Sequence, residues 1–180
     1  MSQSTSDITA SVTQELISAE ATQRYDAVAQ EGMQALKNLK KPTLAMIQGY
    51  CIGGGVGVAL NCDIRIAADH SRFAVPAAKL GLGYEFDGVR KLVDVVGPSF
   101  AQEIFFTARQ FSAPEALAMG LINRMVSQEE LLAYVTQYAY TIAANAPMTV
   151  ARFCAATAGA VGVVVARVRD GPELLPLPPS

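Results

Sequence analysis

Residues Gly53, Gly54 and Gly55 stand between a short apolar run at 43–47, with Gly49 marking the turn after it, and small apolar residues that continue to Leu60. Three consecutive glycines allow backbone conformations and close approach that side chains would prevent. If the residues after them are helical, the amides of that helix's first turn point at whatever lies in front, and the dipole favours negative charge there. The chemistry would be the holding of an anion or a developing oxyanion. The other reading is a tight strand-to-helix turn packed against a neighbour, and local pattern leaves both open. A phosphate-binding loop would need a Gly-Lys-Ser/Thr ending, which is absent. The dinucleotide fingerprint fails because Leu60 sits where its last Gly or Ala would fall if the motif began at Gly55.

Other reactive side chains are sparse. His70, between Asp69 and Ser71, has no second candidate ligand nearby and reads as a turn or surface histidine. Cys51, Cys62 and Cys154 are odd in number and match no common zinc or redox spacing, so they read as reduced, buried small hydrophobes. The stripe Ile104, Phe105, Phe106 reads as core or subunit contact. A net charge of −2 over 180 residues supplies no basic field for nucleic acid. The chain is 51% hydrophobic, yet Gln48 and five glycines break its most apolar stretch, 44–60, which therefore reads as buried rather than membrane-spanning. The amino-terminal residues show no signal or transit pattern, so a cytoplasmic location is expected.

The elements that must position these groups follow from periodicity and punctuation. Tyr25, Val28, Gly32, Leu36 and Leu39 recur every three or four residues and predict a helix over 18–39. Residues 43–47 and 64–67 predict buried strands. Pro76, Gly81, Gly83 and Gly88 predict a long ordered loop over 72–89, broken by short elements. Ser112 with Glu115 and Ser127 with Glu130 are capping boxes, each opening a helix. Gly120 ends the first of these, 121–126 is extended, and the second runs to about Ala144 before Asn145 and Pro147. Alternating strands and helices give an α/β domain over 1–156. The Ala/Gly/Val-rich and then Pro-rich segment 157–180 is expected to be disordered.

Longer motifs enclose the glycines. Lys41-Pro42-Thr43, then Gly49-Tyr50-Cys51-Ile52-Gly53-Gly54-Gly55, then Asn61-Cys62-Asp63-Ile64-Arg65-Ile66-Ala67 resemble the signature of the enoyl-CoA hydratase/isomerase (crotonase) family. The likeness continues through Phe73, Pro76, Leu80-Gly81 and Val96-Gly97 into the run from Phe111 to Arg124, and covers about 20–148. It implies a crotonase-like spiral of strand-strand-helix repeats, here incomplete, with subunits in homotrimers or hexamers. It also implies an acyl-CoA thioester as substrate, with coenzyme A entering as part of it and no separate cofactor or metal.

By the same resemblance, the Gly54 amide is one of two that hold the thioester oxygen, and Ile52, Gly53, Gly55 and Tyr84 belong to the substrate site. The second amide is expected from an Ala/Gly-rich segment ending in Gly-x-Asp, and nothing before Lys41 matches it. The family's paired hydratase glutamates fall on Gly57 and Ala77, neither of which transfers a proton. Glu85, counted back from Leu92, falls where dienoyl-CoA isomerases of the family carry a catalytic aspartate, and Asp87 lies two residues further on. Either would serve as a general acid/base; the alternatives are a solvated loop charge or a charge placed near a helix start. The expected function is double-bond hydration or isomerisation through a stabilised thioester enolate. The competing expectation is an inactive fragment that associates with full-length family subunits.

Overall fold

The computed structural model describes residues 19–39, 41–81, 83–84, 86–145 and 164–169. Helix α1, Ala19–Lys37, belongs to a compact unit of its own that ends at Asn38. Its bounds lie within two residues of those predicted from the three-and-four spacing.

The larger unit is built on a parallel sheet. Strands β1 (Thr43–Gln48) and β3 (Ile64–Ala68) pair in parallel with Leu44 opposite Ile64. Thr43 to Ile47 is wholly buried, which explains the unbroken apolar run: a parallel strand covered on both faces has no solvent side to mark with polar residues. After Gly49, whose φ of 85° turns the chain, β2 (Tyr50–Ile52) leaves this sheet and pairs with β4 (Arg72–Ala74) in a second, three-stranded sheet. Helix α2, Gly54–Leu60, connects β2 to β3, and the four-residue α3, Ala77–Leu80, follows β4.

Helix α4, Phe86–Thr107, is the longest element of this unit and is kinked at Gly97, where φ is 78° and Pro98 follows. The region read as loop up to residue 89 is therefore already helical from Phe86. Gly88 is not loop punctuation: Tyr84 lies against it, and a Cβ on Gly88 would sit 3.2 Å from the tyrosine ring. This glycine makes room for packing and does not break the helix.

Short strand β5, Phe111–Ser112, pairs antiparallel with β4. It leads into α5 (Ala113–Ala118), β6 (Arg124–Val126) and α6 (Gln128–Ala144). The Ser112–Glu115 capping box forms as predicted, the hydroxyl accepting from the Glu115 amide and the carboxylate accepting from the Ser112 amide at 2.8 Å. At the start of α6 the Ser127 hydroxyl accepts from the Glu130 amide and donates to the Glu130 carboxylate at 2.9 Å. Leu131 and Val135 of α6 seal one face of the parallel sheet over Leu44, Met46, Ile66 and Ala68. Val56, Phe73, Leu92, Ile104, Phe111 and Leu121 line a second apolar region that joins α2, α4 and the small sheet.

Within the segment expected to be disordered, Val164–Arg169 forms strand β7, parallel to β1 with Thr43 opposite Val164. The parallel sheet therefore runs β6-β3-β1-β7. The physical reason is the demand of β1: a buried strand must pair its amides and carbonyls on both edges, and a Val-rich segment meets that demand. The rest of 157–180 lies outside the described residues. Among the described residues, no helix is long and apolar enough to cross a membrane.

Candidate active site

The glycine turn is assembled from both sheets. Ile52 ends β2 opposite Ala74 of β4, and the Gly53 amide donates to the Ala74 carbonyl at 2.9 Å, tying the turn to the second sheet. Gly53 has φ of 55°, in the left-handed region, so the turn needs glycine there. The Gly57 amide then donates back to the Gly53 carbonyl at 3.1 Å and closes the first turn of α2. The amides of Gly54, Gly55 and Val56 precede that bond, where an α-helix offers no internal acceptor.

The three glycines have different surroundings. A Cβ on Gly55 would lie 3.6 Å from Val168 Cγ1 and 3.8 Å from Cys51 Sγ, so Gly55 is packed against β7 and β2. A Cβ on Gly54 would meet no atom within 4 Å, and Gly54 is exposed. The two neighbours therefore differ: Gly55 faces a packed neighbour, and Gly54, at the head of the helix, has open space where a Cβ would sit. Ile52 is half-buried at the end of its strand.

Residues around the turn hold α2 from its other end. The Asp63 carboxylate accepts from both the amide and the hydroxyl of Thr43 at 2.7 Å, and the Asp63 amide donates to the Thr43 hydroxyl at 2.9 Å. Arg65 is buried; its Nε donates to the Leu121 carbonyl and its Nη1 to the Cys62 carbonyl, each at 2.8 Å. Burial lowers the Arg65 pKa from its usual value. The Asn61 amide side chain donates to the Gly57 carbonyl at 2.8 Å and accepts from Lys91 Nζ of α4. Lys91 sits thirty residues from this partner, and no local pattern in the sequence marks it.

The candidate proton carriers are distributed unevenly. Gly57 is half-buried in α2 and Ala77 is buried at the start of α3, so the positions matching the family's glutamates present no titrating group. Asp87 is exposed in the first turn of α4, where the helix dipole favours a carboxylate. Glu85 lies outside the described residues. Tyr84 packs edge-on against Phe105 with ring centroids 5.1 Å apart, and burial raises its pKa.

The remaining reactive groups are structural in setting. His70 is exposed, with Nδ1 3.5 Å from Asp69 Oδ1, in the turn after β3. Burial pushes the Cys51 thiol up to about 12 and the Cys62 thiol to about 11, which keeps both protonated and unreactive near neutrality. Cys154 lies outside the described residues. Among the described residues no cluster of His, Cys, Asp and Glu has the makings of a metal site.

The enoyl-CoA hydratase/isomerase family profile matches residues 5–170. The chain belongs to this family. A short-chain-enoyl-CoA hydratase of Clostridium acetobutylicum is 36% identical over 127 residues, which cover 71% of this chain and 49% of the relative. A carnitinyl-CoA dehydratase of Salmonella arizonae is 40% identical over 120 residues, covering 67% of this chain and 46% of the relative. Among solved structures, an enoyl-CoA hydratase/isomerase family protein from Hyphomonas neptunium superposes with a TM-score of 0.75 at 33% identity, covering 81% of this chain and 55% of that one. The fold is thus the α/β fold of the crotonase family, and the chain spans about half the length of the curated relatives it matches.

Proposed function

We propose that this crotonase-family chain acts on an acyl-CoA thioester through a stabilised enolate, with hydration or isomerisation of a double bond as the outcome. The observation that carries the reading is Gly54, an exposed residue whose amide lies in the first turn of α2, on a turn fixed by the Gly53–Ala74 hydrogen bond. Removing a proton beside a thioester carbonyl, or adding a nucleophile at the conjugated carbon, places negative charge on the carbonyl oxygen. One preorganised donor at that oxygen is typically worth about 3 to 4 kcal/mol of barrier. In this reading Ile52, Gly53, Gly55 and Tyr84 flank the acyl group. Glu85 carries the proton, with Asp87 as its neighbour in the same approach. The working assembly is a homotrimer or hexamer in the cytoplasm.

A second reading is favoured by Gly57 and Ala77, which leave the family's two proton-transfer positions without a carboxylate. In that reading the chain is inactive and pairs with full-length family subunits. Incubating the purified protein with a panel of saturated, 2-enoyl and 3-enoyl-CoA thioesters, with products identified by mass spectrometry, separates the two. Hydrated or isomerised product supports the enzyme. No product from any thioester, with co-purification of a longer family member on co-expression, supports the pairing fragment.

A further inference from the structure

Helix α2 is a poor helix by composition. Gly54, Gly55 and Gly57 occupy three of its seven positions, glycine being among the weakest helix formers, and no side chain caps its amino end. Its carboxyl end also departs from the regular pattern. The Asn61 amide, which would close an α-helical bond onto the Gly57 carbonyl, donates instead to the Val58 carbonyl at 3.1 Å. The Asn61 side chain fills the gap by donating to the Gly57 carbonyl at 2.8 Å. Lys91 reaches across from α4 to donate to the Asn61 side-chain oxygen, which fixes the amide with its NH2 toward Gly57.

Gly57 is thereby held at both ends. Its amide bonds to Gly53 at 3.1 Å, and Gly53 bonds to Ala74 at 2.9 Å. A continuous line of hydrogen bonds runs from Lys91 through Asn61 and Gly57 to Gly53, the residue before the candidate oxyanion donor. The ammonium also lies at the carboxyl end of α2, where a cation complements the helix dipole.

We propose that Asn61 and Lys91 are positioning residues: together they lock a glycine-rich helix so that the Gly54 amide keeps a fixed aim. The structural claim stands on the hydrogen bonds alone, whereas its catalytic consequence rests on the function proposed above. Two measurements on the full chain keep these separate. The first is amide hydrogen exchange followed by NMR. Lys91→Met keeps the length but removes the donor, and should speed exchange at the Gly57 amide by at least about tenfold while β1 and β3 amides keep their protection. Asn61→Asp keeps the acceptor for Lys91 but loses the donor to Gly57, and should loosen Gly57 equally. Lys91→Arg should stay near wild type.

The second measurement is the split of kinetic constants on a thioester that the wild type turns over. Lys91→Met should lower kcat by about ten- to a hundredfold with KM within about twofold, since small misplacement of a catalytic group costs on that order, and Lys91→Arg should restore it. A folded Lys91→Met protein with wild-type exchange at Gly57 overturns the proposal. Absence of any wild-type turnover overturns the proposed function alone, because the exchange result still decides the clasp.

Discussion

At the scale of single residues, the glycine run was legible because only backbone freedom explains it, but the sequence left a packed turn and an open anion site as equals. The contact that packs Gly55 could not be read locally, because β7 comes from more than a hundred residues away. The same geometry makes Gly54 a clean test. Since a Cβ there meets no atom within 4 Å, Gly54→Val should leave the melting temperature within a few degrees of wild type while obstructing the thioester oxygen. Turnover should fall at least about a hundredfold, the loss expected when one oxyanion donor is removed. Unchanged kinetics would end the assignment of Gly54. The proton carrier is tested by Glu85→Gln, which keeps size and hydrogen bonding but cannot titrate. Turnover should drop by about two to four orders of magnitude with little change in substrate affinity, and full activity would pass the role to Asp87 or to water.

At the scale of elements, the strongest local signals were helix starts, because a capping box is self-contained within four residues. The Ser112–Glu115 box forms, and Arg109 Nη1 adds to it with a contact to the Glu115 carboxylate at 2.8 Å. The Ser112 amide and hydroxyl, and then Arg109, hold the Glu115 carboxyl down to about 2. A carboxyl depressed on folding stabilises the protein above its ordinary titration range, and that contribution is lost as pH falls toward about 2. The melting temperature of the wild type should therefore decline more steeply with acid over that window than that of Glu115→Gln. Identical acid profiles would show that the group contributes nothing. Ser112→Ala should cost about 1 kcal/mol, the usual value of a lost amino-terminal cap, measured by urea unfolding. What local pattern missed has two forms: at the start of α4 Tyr84 packs on Gly88, four residues on, and β7 pairs with the buried edge of the distant β1.

At the scale of the whole molecule, the α/β class followed from alternating strands and helices and the family from the long motif between Lys41 and Arg124, while the placement of β7 beside β1 did not follow, since strand order is a property of the assembled sheet. Leu80, Phe86 and Phe106 are 64%, 76% and 76% exposed, and Tyr84 against Phe105 brings the loop before α4 alongside the far end of that helix. Large exposed apolar side chains gathered into one patch favour association over solvation. The purified chain should therefore run above monomer mass in size-exclusion chromatography with light scattering, as a defined oligomer or as aggregate. Replacing Phe86 and Phe106 together by Glu should shift it toward monomer, because a charge at each position carries a desolvation cost on association that phenylalanine does not. A wild-type monomer that melts in one sharp, reversible transition at all concentrations would contradict this. Such a chain would have to hide or tolerate those rings alone, and the double glutamate variant would then change neither mass nor melting temperature.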